Sequence, residues 1–131
     1  MGIDVGRKAV AALEKLQEDK AEIYFSQFSI LESLWVAARL CKTEGQELES
    51  VLAGLRSILE GGVYKRATEN WEVFTDALRL YLEGHRDIID NILYADSIHY
   101  EMKLLTLDTE LKGFIQARKL QNTIITPDDV V

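Results

Sequence analysis

Apolar residues along this chain recur mostly at helical spacing. Between Arg7 and Asp19, Val10, Leu13 and Leu16 stand among charged residues, which predicts an amphipathic surface helix. A second helix is expected from about Ser29 to Cys41, with Leu31, Leu34, Trp35 and Ala38 on one stripe and Glu32 on its flank. A third follows from about Gln46 to Glu60, with Leu48, Val51, Leu52, Leu55 and Ile58 in phase and Gly61-Gly62 as its stop. Trp71, Phe74, Leu78 and Tyr81 mark a fourth, which Gly84 closes. A fifth opens near Arg86 or Asp87 and continues to about Tyr100, and Glu110, Leu111 and Phe114 fit a short sixth.

Three segments break that rhythm. Ile23-Tyr24-Phe25-Ser26, Lys103-Leu104-Leu105-Thr106 and Asn122-Thr123-Ile124-Ile125-Thr126 are short apolar runs of strand length, the last ended by Pro127. Strands separated by helices imply βαβ units, hence an α/β fold with a mostly parallel sheet and ligands beyond the carboxyl ends of its strands. Three strands are few for a three-layer α/β/α sheet, and the chain reads as lacking one.

Length and composition narrow the picture. With 131 residues, 47% of them hydrophobic, the chain supports one domain over 1–131. No apolar stretch approaches the roughly 20 residues that span a bilayer, and no secretory pattern opens the chain. The single cysteine, Cys41, lies in an apolar context and reads as a small buried hydrophobe. These features predict a cytoplasmic protein. A net charge of -7 argues against binding nucleic acid through bulk positive charge, while leaving room for clustered carboxylates that hold a cation.

The candidate chemistry is acidic. Asp108 follows the predicted strand ending at Thr106, Asp90 lies in the first turns of the fifth helix with Asp87 one turn earlier, and Glu32 rides the second helix just after a strand. Converging carboxylates repel unless a cation or shared protons neutralise them, and hard oxygen ligands select Mg²⁺ or Mn²⁺. Such a cation, keeping most of its waters, suits phosphodiester hydrolysis. Singly, Asp87 and Asp90 read as helix-start residues favoured by the dipole, and Asp87 and Asp96 rank behind the other three acids. His85 and His99 have no partner at metal-ligand spacing and read as surface or helix-end residues. The aromatic residues Trp35, Trp71, Phe74 and Tyr81 read as core or interface, Lys65-Arg66 and Arg118-Lys119 as solvated basic pairs, and Gly61-Gly62 lacks the residues of a phosphate loop.

The segments Asp90-Asn91-Ile92-Leu93-Tyr94-Ala95 and Lys103-Leu104-Leu105-Thr106-Leu107-Asp108 resemble the C-terminal acidic motifs of PIN domains. Upstream, Ile23-Tyr24-Phe25-Ser26 followed by Leu31-Glu32 is similar to that family's strand, serine and helix-borne glutamate. The resemblance implies a PIN-type Mg²⁺- or Mn²⁺-dependent endoribonuclease, with Glu32, Asp90 and Asp108 as catalytic and metal-holding acids and Ser26 close to the substrate. It also implies RNA as substrate and a role such as the toxin of a toxin–antitoxin pair, with an antitoxin protein as partner. PIN domains begin with a strand that ends in an aspartate, whereas this chain opens Met1-Gly2-Ile3-Asp4-Val5-Gly6, so it is expected to be truncated at its N-terminus relative to the family. Without that acid, a catalytically incomplete PIN-like interaction module is the competing expectation. A sheet missing a central strand exposes backbone edges, which predicts a dimer or other homo-oligomer.

Overall fold

The computed structural model describes the backbone of residues 3–130 and the side chains of residues 8–130. The chain forms two compact units, one made of the segment up to Ala21 together with the segment from Glu69 onward, the other of Glu22–Thr68. The family-like stretch of acids from residue 87 to 108 belongs wholly to the first.

The first unit contains α1 (Ile3–Glu18), α4 (Trp71–Leu82), α5 (Ile88–His99), β3 (Leu104–Leu105), α6 (Thr109–Ala117), β4 (Ile124–Ile125) and α7 (Pro127–Val130). Helices α4 and α5 pack side by side, and α1 packs on α7, where Lys8 Nζ lies 3.2 Å from Asp128. Strands β3 and β4 pair in parallel, Leu104 opposite Ile124 and Leu105 opposite Ile125, with α6 as the crossover between them. Leu80, Tyr94, Leu111, Ile115 and Ile124 form the core of this unit, and Ile98, Leu104, Phe114 and Leu120 close around it. Tyr94 also donates its hydroxyl to the Gln121 carbonyl at 2.5 Å, so the one polar atom of this core aromatic is satisfied.

The second unit contains β1 (Ile23–Ser26), α2 (Gln27–Thr43), α3 (Leu48–Glu60) and β2 (Tyr64–Ala67). β1 and β2 pair in parallel with Ile23 opposite Tyr64 and Ser26 opposite Ala67, the two helices forming the crossover. An ion pair of 2.9 Å from Lys65 to Glu22 ties the same two segments.

The α/β class, helices α1 to α6 and the parallel pairing agree with the expectation from sequence, while the short α7 was not expected. Strand β2 was missed, because Tyr64-Lys65-Arg66-Ala67 carries two charges and no apolar run, and only its pairing with β1 makes it a strand. The fourth helix buries Val73, Ala77 and Leu80, not the stripe of Trp71, Phe74, Leu78 and Tyr81, all of which are exposed. Trp71 is 81% exposed and Trp35 63%, so neither is a core residue. Cys41 is free and half-buried, short of the buried position expected. No helix among the described residues is long and apolar enough to cross a membrane.

Candidate functional site

Helix α5 is unusual in burying polar groups along with apolar ones: Asp90, Asn91, Asp96 and Ser97 join Ile92, Tyr94 and Ala95. A buried polar group costs free energy unless it finds a partner, so each of the four points to a neighbour. Ser97 exchanges a 2.6 Å hydrogen bond with the Thr123 hydroxyl and donates to the Tyr94 carbonyl. Asn91 and Asp90 lead to the chemistry.

Asn91, fully buried, donates its amide to the His85 carbonyl at 2.7 Å and the Ala77 carbonyl at 3.3 Å. Both amide hydrogens being turned to carbonyls, its Oδ1 accepts from His85 Nδ1 at 2.7 Å. The backbone delivers His85 to this place through the end of α4. Gly84 takes φ +122°, its N–H donates to the Tyr81 carbonyl, and the His85 N–H donates to the Leu80 carbonyl, the paired bonds of a Schellman turn. The φ of Gly84 lies where only glycine is comfortable, so the turn depends on it. Phe114 covers the imidazole from 5.3 Å, and His85 is 6% exposed. Its expected place at the surface is thereby corrected.

Asp108 stands three residues beyond β3. The Thr106 hydroxyl accepts the Asp108 N–H at 3.0 Å, which bends the chain out of the strand. Oδ1 of Asp108 then caps α6, accepting from Glu110 N at 2.8 Å and Leu111 N at 3.3 Å. Asp87 caps α5 in the same way, accepting the Asp90 N–H at 3.1 Å, and Asp90 falls in the first turn of that helix, nine-tenths buried.

The fold brings Asp90 and Asp108 together. The Asp90 carboxyl hydrogen-bonds the Asp108 carboxylate, and this holds Asp108 below the usual carboxylate range; the Leu111 and Glu110 N–H groups and the nearby His85 act in the same direction, against partial burial. One ligand atom each from His85, Asp90 and Asp108 lies within 4.8 Å of the other two. A hydrogen bond between two carboxyls needs one proton for the pair, and a divalent cation can take that proton's place. The donor set therefore fits a cation.

Glu32 lies half-buried on α2 in the second unit, and Ser26 ends β1 there, buried, as the N-cap of α2. Its hydroxyl accepts the Phe28 N–H at 3.1 Å, and its carbonyl accepts the Ser29 hydroxyl at 2.6 Å. His99 ends α5, bonded to Asn70 at 3.0 Å and 3.7 Å from Glu72. The basic pairs are engaged locally: Lys65 with Glu22 and the Tyr24 ring, Arg66 with the Phe25 ring, Arg118 with the Glu83 carbonyl and the Phe114 ring.

Sequence spacing did not reveal His85 as a neighbour of these acids. Its signal was indirect: Asn91 in an otherwise apolar stretch of helix needs buried partners, and the turn marked by Gly84 supplies one six residues earlier.

The family model described as the PIN domain matches residues 3–118. No curated protein and no solved structure matches the chain.

Proposed function

The chain belongs to the PIN domain family, a nuclease-type family with a helix-rich α/β/α fold, and from that premise we propose that it is a divalent-metal-dependent endoribonuclease. The observation that carries the reading is the Asp90–Asp108 contact with His85 beside it, inside one compact unit. In this reading Asp90 and Asp108 hold Mg²⁺ or Mn²⁺, and Glu32 joins them on the strength of its motif. The cation, when bound, supplies a Lewis acid and a water of lowered pKa. The side chains do the rest. Asp108, with Oδ1 held by the α6 backbone, keeps its carboxylate in place without sampling rotamers. The Asp87 cap fixes the backbone of Asp90 at the start of α5. Once the proton shared by Asp90 and Asp108 leaves, their two negative charges demand a cation in a chain whose own charge repels RNA.

Within that reading the protein is a single PIN domain of the cytoplasm, and a toxin–antitoxin role with an antitoxin partner is its biological setting. The test is calorimetric Mn²⁺ binding to the chain and to Asp90→Asn, followed by cleavage of a mixed-sequence RNA. Binding that Asp90→Asn abolishes, with cleavage that tracks it, supports the nuclease; a chain that takes up no cation is not one.

A second reading is favoured by one specific observation. Helix α4 exposes Trp71, Phe74, Leu78, Tyr81 and Leu82. So much exposed apolar surface marks an interaction face. It suits a homo-oligomer in the nuclease reading, and a catalytically incomplete interaction module if the cation does not bind.

A further inference from the structure

The proposed cation site rests on carboxylates, yet its most buried member is an imidazole. His85 is 6% exposed, and its Nδ1 donates to Asn91 Oδ1 at 2.7 Å. The orientation of Asn91 is not free to reverse: turned over, its oxygen would face the His85 and Ala77 carbonyls that now accept its amide. Asn91 thus fixes a proton on Nδ1 of His85 and leaves Nε2 as the nitrogen available to a cation. That is the arrangement in which a histidine acts as a metal ligand, its other nitrogen held by a hydrogen-bond acceptor behind it. The ring stands beside Asp90 and Asp108, with ligand atoms of the three residues mutually within 4.8 Å.

We propose that His85 is a nitrogen ligand of this cation site, held in its binding tautomer by Asn91, and that the site takes Mn²⁺ in preference to Mg²⁺. Mg²⁺ demands oxygen donors in a near-ideal octahedron and gives up its waters reluctantly, whereas Mn²⁺ stands above it in affinity for a mixed nitrogen and oxygen site. The inference rests on the metal-dependent reading above and goes further by naming the donor that sets the choice of ion.

The experiment is pulsed electron paramagnetic resonance on the full chain loaded with Mn²⁺, beside calorimetric titrations with Mn²⁺ and Mg²⁺. The wild-type echo is expected to show modulation from imidazole nitrogen, and Mn²⁺ to bind at least about tenfold more tightly than Mg²⁺. In His85→Gln the modulation disappears and the Mn²⁺ affinity falls at least about tenfold, the lower end of the loss seen when merely a ligand's supporting partner is removed, while that for Mg²⁺ changes little. Mn²⁺ bound with no nitrogen modulation in the wild type overturns the role of His85 and leaves the carboxylate site standing. Absence of Mn²⁺ binding overturns both. The wild-type spectrum decides the matter even if the variant folds poorly.

Discussion

Asp96, in the third turn of α5, lies carboxyl to carboxyl with Glu69, the residue before the N-cap of α4. Burial, followed by the hydrogen bond and charge of Glu69, pushes Asp96 up to about 8. In an unfolded chain the same group titrates near ~3.9. Above that value the unfolded state gives up the proton that the folded state keeps, so the contribution of Asp96 to stability is full below about pH 4 and drains away as pH climbs toward about 8, at about 1 kcal/mol per pH unit. Thermal unfolding followed by circular dichroism should therefore show Tm falling across that window. Asp96→Asn keeps a donor for Glu69 without an ionisable proton, and is expected to flatten the profile and raise Tm at pH 8. An unchanged slope in the variant would assign the pH dependence to other groups.

Asp108 caps α6 and, in the proposed reading, holds the cation, and substitution can separate the two. Asparagine is as good an N-cap as aspartate, so Asp108→Asn should leave Tm nearly unchanged in the absence of metal while removing the Tm gain produced by Mn²⁺. Asp108→Ala should lose the metal response and, in addition, about 1 kcal/mol of stability from the uncapped helix α6. Equal stability of the two variants without metal would show that the cap contributes nothing.

Leu111 is 1% exposed within the cluster of Leu80, Tyr94, Ile115 and Ile124. Leu111→Ala is expected to cost about 2–5 kcal/mol in urea unfolding, through lost burial and the cavity left behind. Trp71→Ala, at a site 81% exposed, should cost well under ~1 kcal/mol in the same assay. A costly Trp71 variant would mean that this ring is covered in solution.

The exposed stripe of α4 leads to a fourth expectation. Light scattering after size exclusion should find the chain larger than 14.9 kDa at micromolar concentration. Phe74→Ser combined with Leu78→Ser should return it to a monomer, since these positions lie one turn apart on that face. A wild-type monomer at every concentration would leave the stripe for a different protein.

Sequence reading succeeded where local chemistry is sufficient. Asp87 and Asp90 stand at the start of α5 as read, and the β3–α6–β4 segment alternates in type as expected. It misplaced the buried face of α4 because that helix is apolar on two sides, and a period of 3.6 is satisfied by Val73, Ala77 and Leu80 as well as by Trp71, Phe74 and Leu78. It overlooked β2 because edge pairing, not side-chain pattern, defines that strand. The Asp90–Asp108 pair was legible, since both acids sit at element boundaries, whereas His85 was not, since its ties to Asn91 and the acids arise from a turn and a packed helix and have no fixed spacing. Glu32 and Ser26 were chosen on their motif, and their part in the site remains a proposal to be tested by Glu32→Gln in the Mn²⁺ titration.

The core cluster described above has a consequence for how the protein comes together. Every one of its members, and His85, Asp90 and Asp108 with them, falls between Leu80 and Ile124. The loops that must close to join them are short, so their entropic cost is small and their formation fast. The segment from Glu22 to Thr68 can reach its own parallel pairing later without delaying that step. Asp90, Asp108 and His85 are consequently brought together with that core, and on a ribosome only after the last third of the chain has emerged.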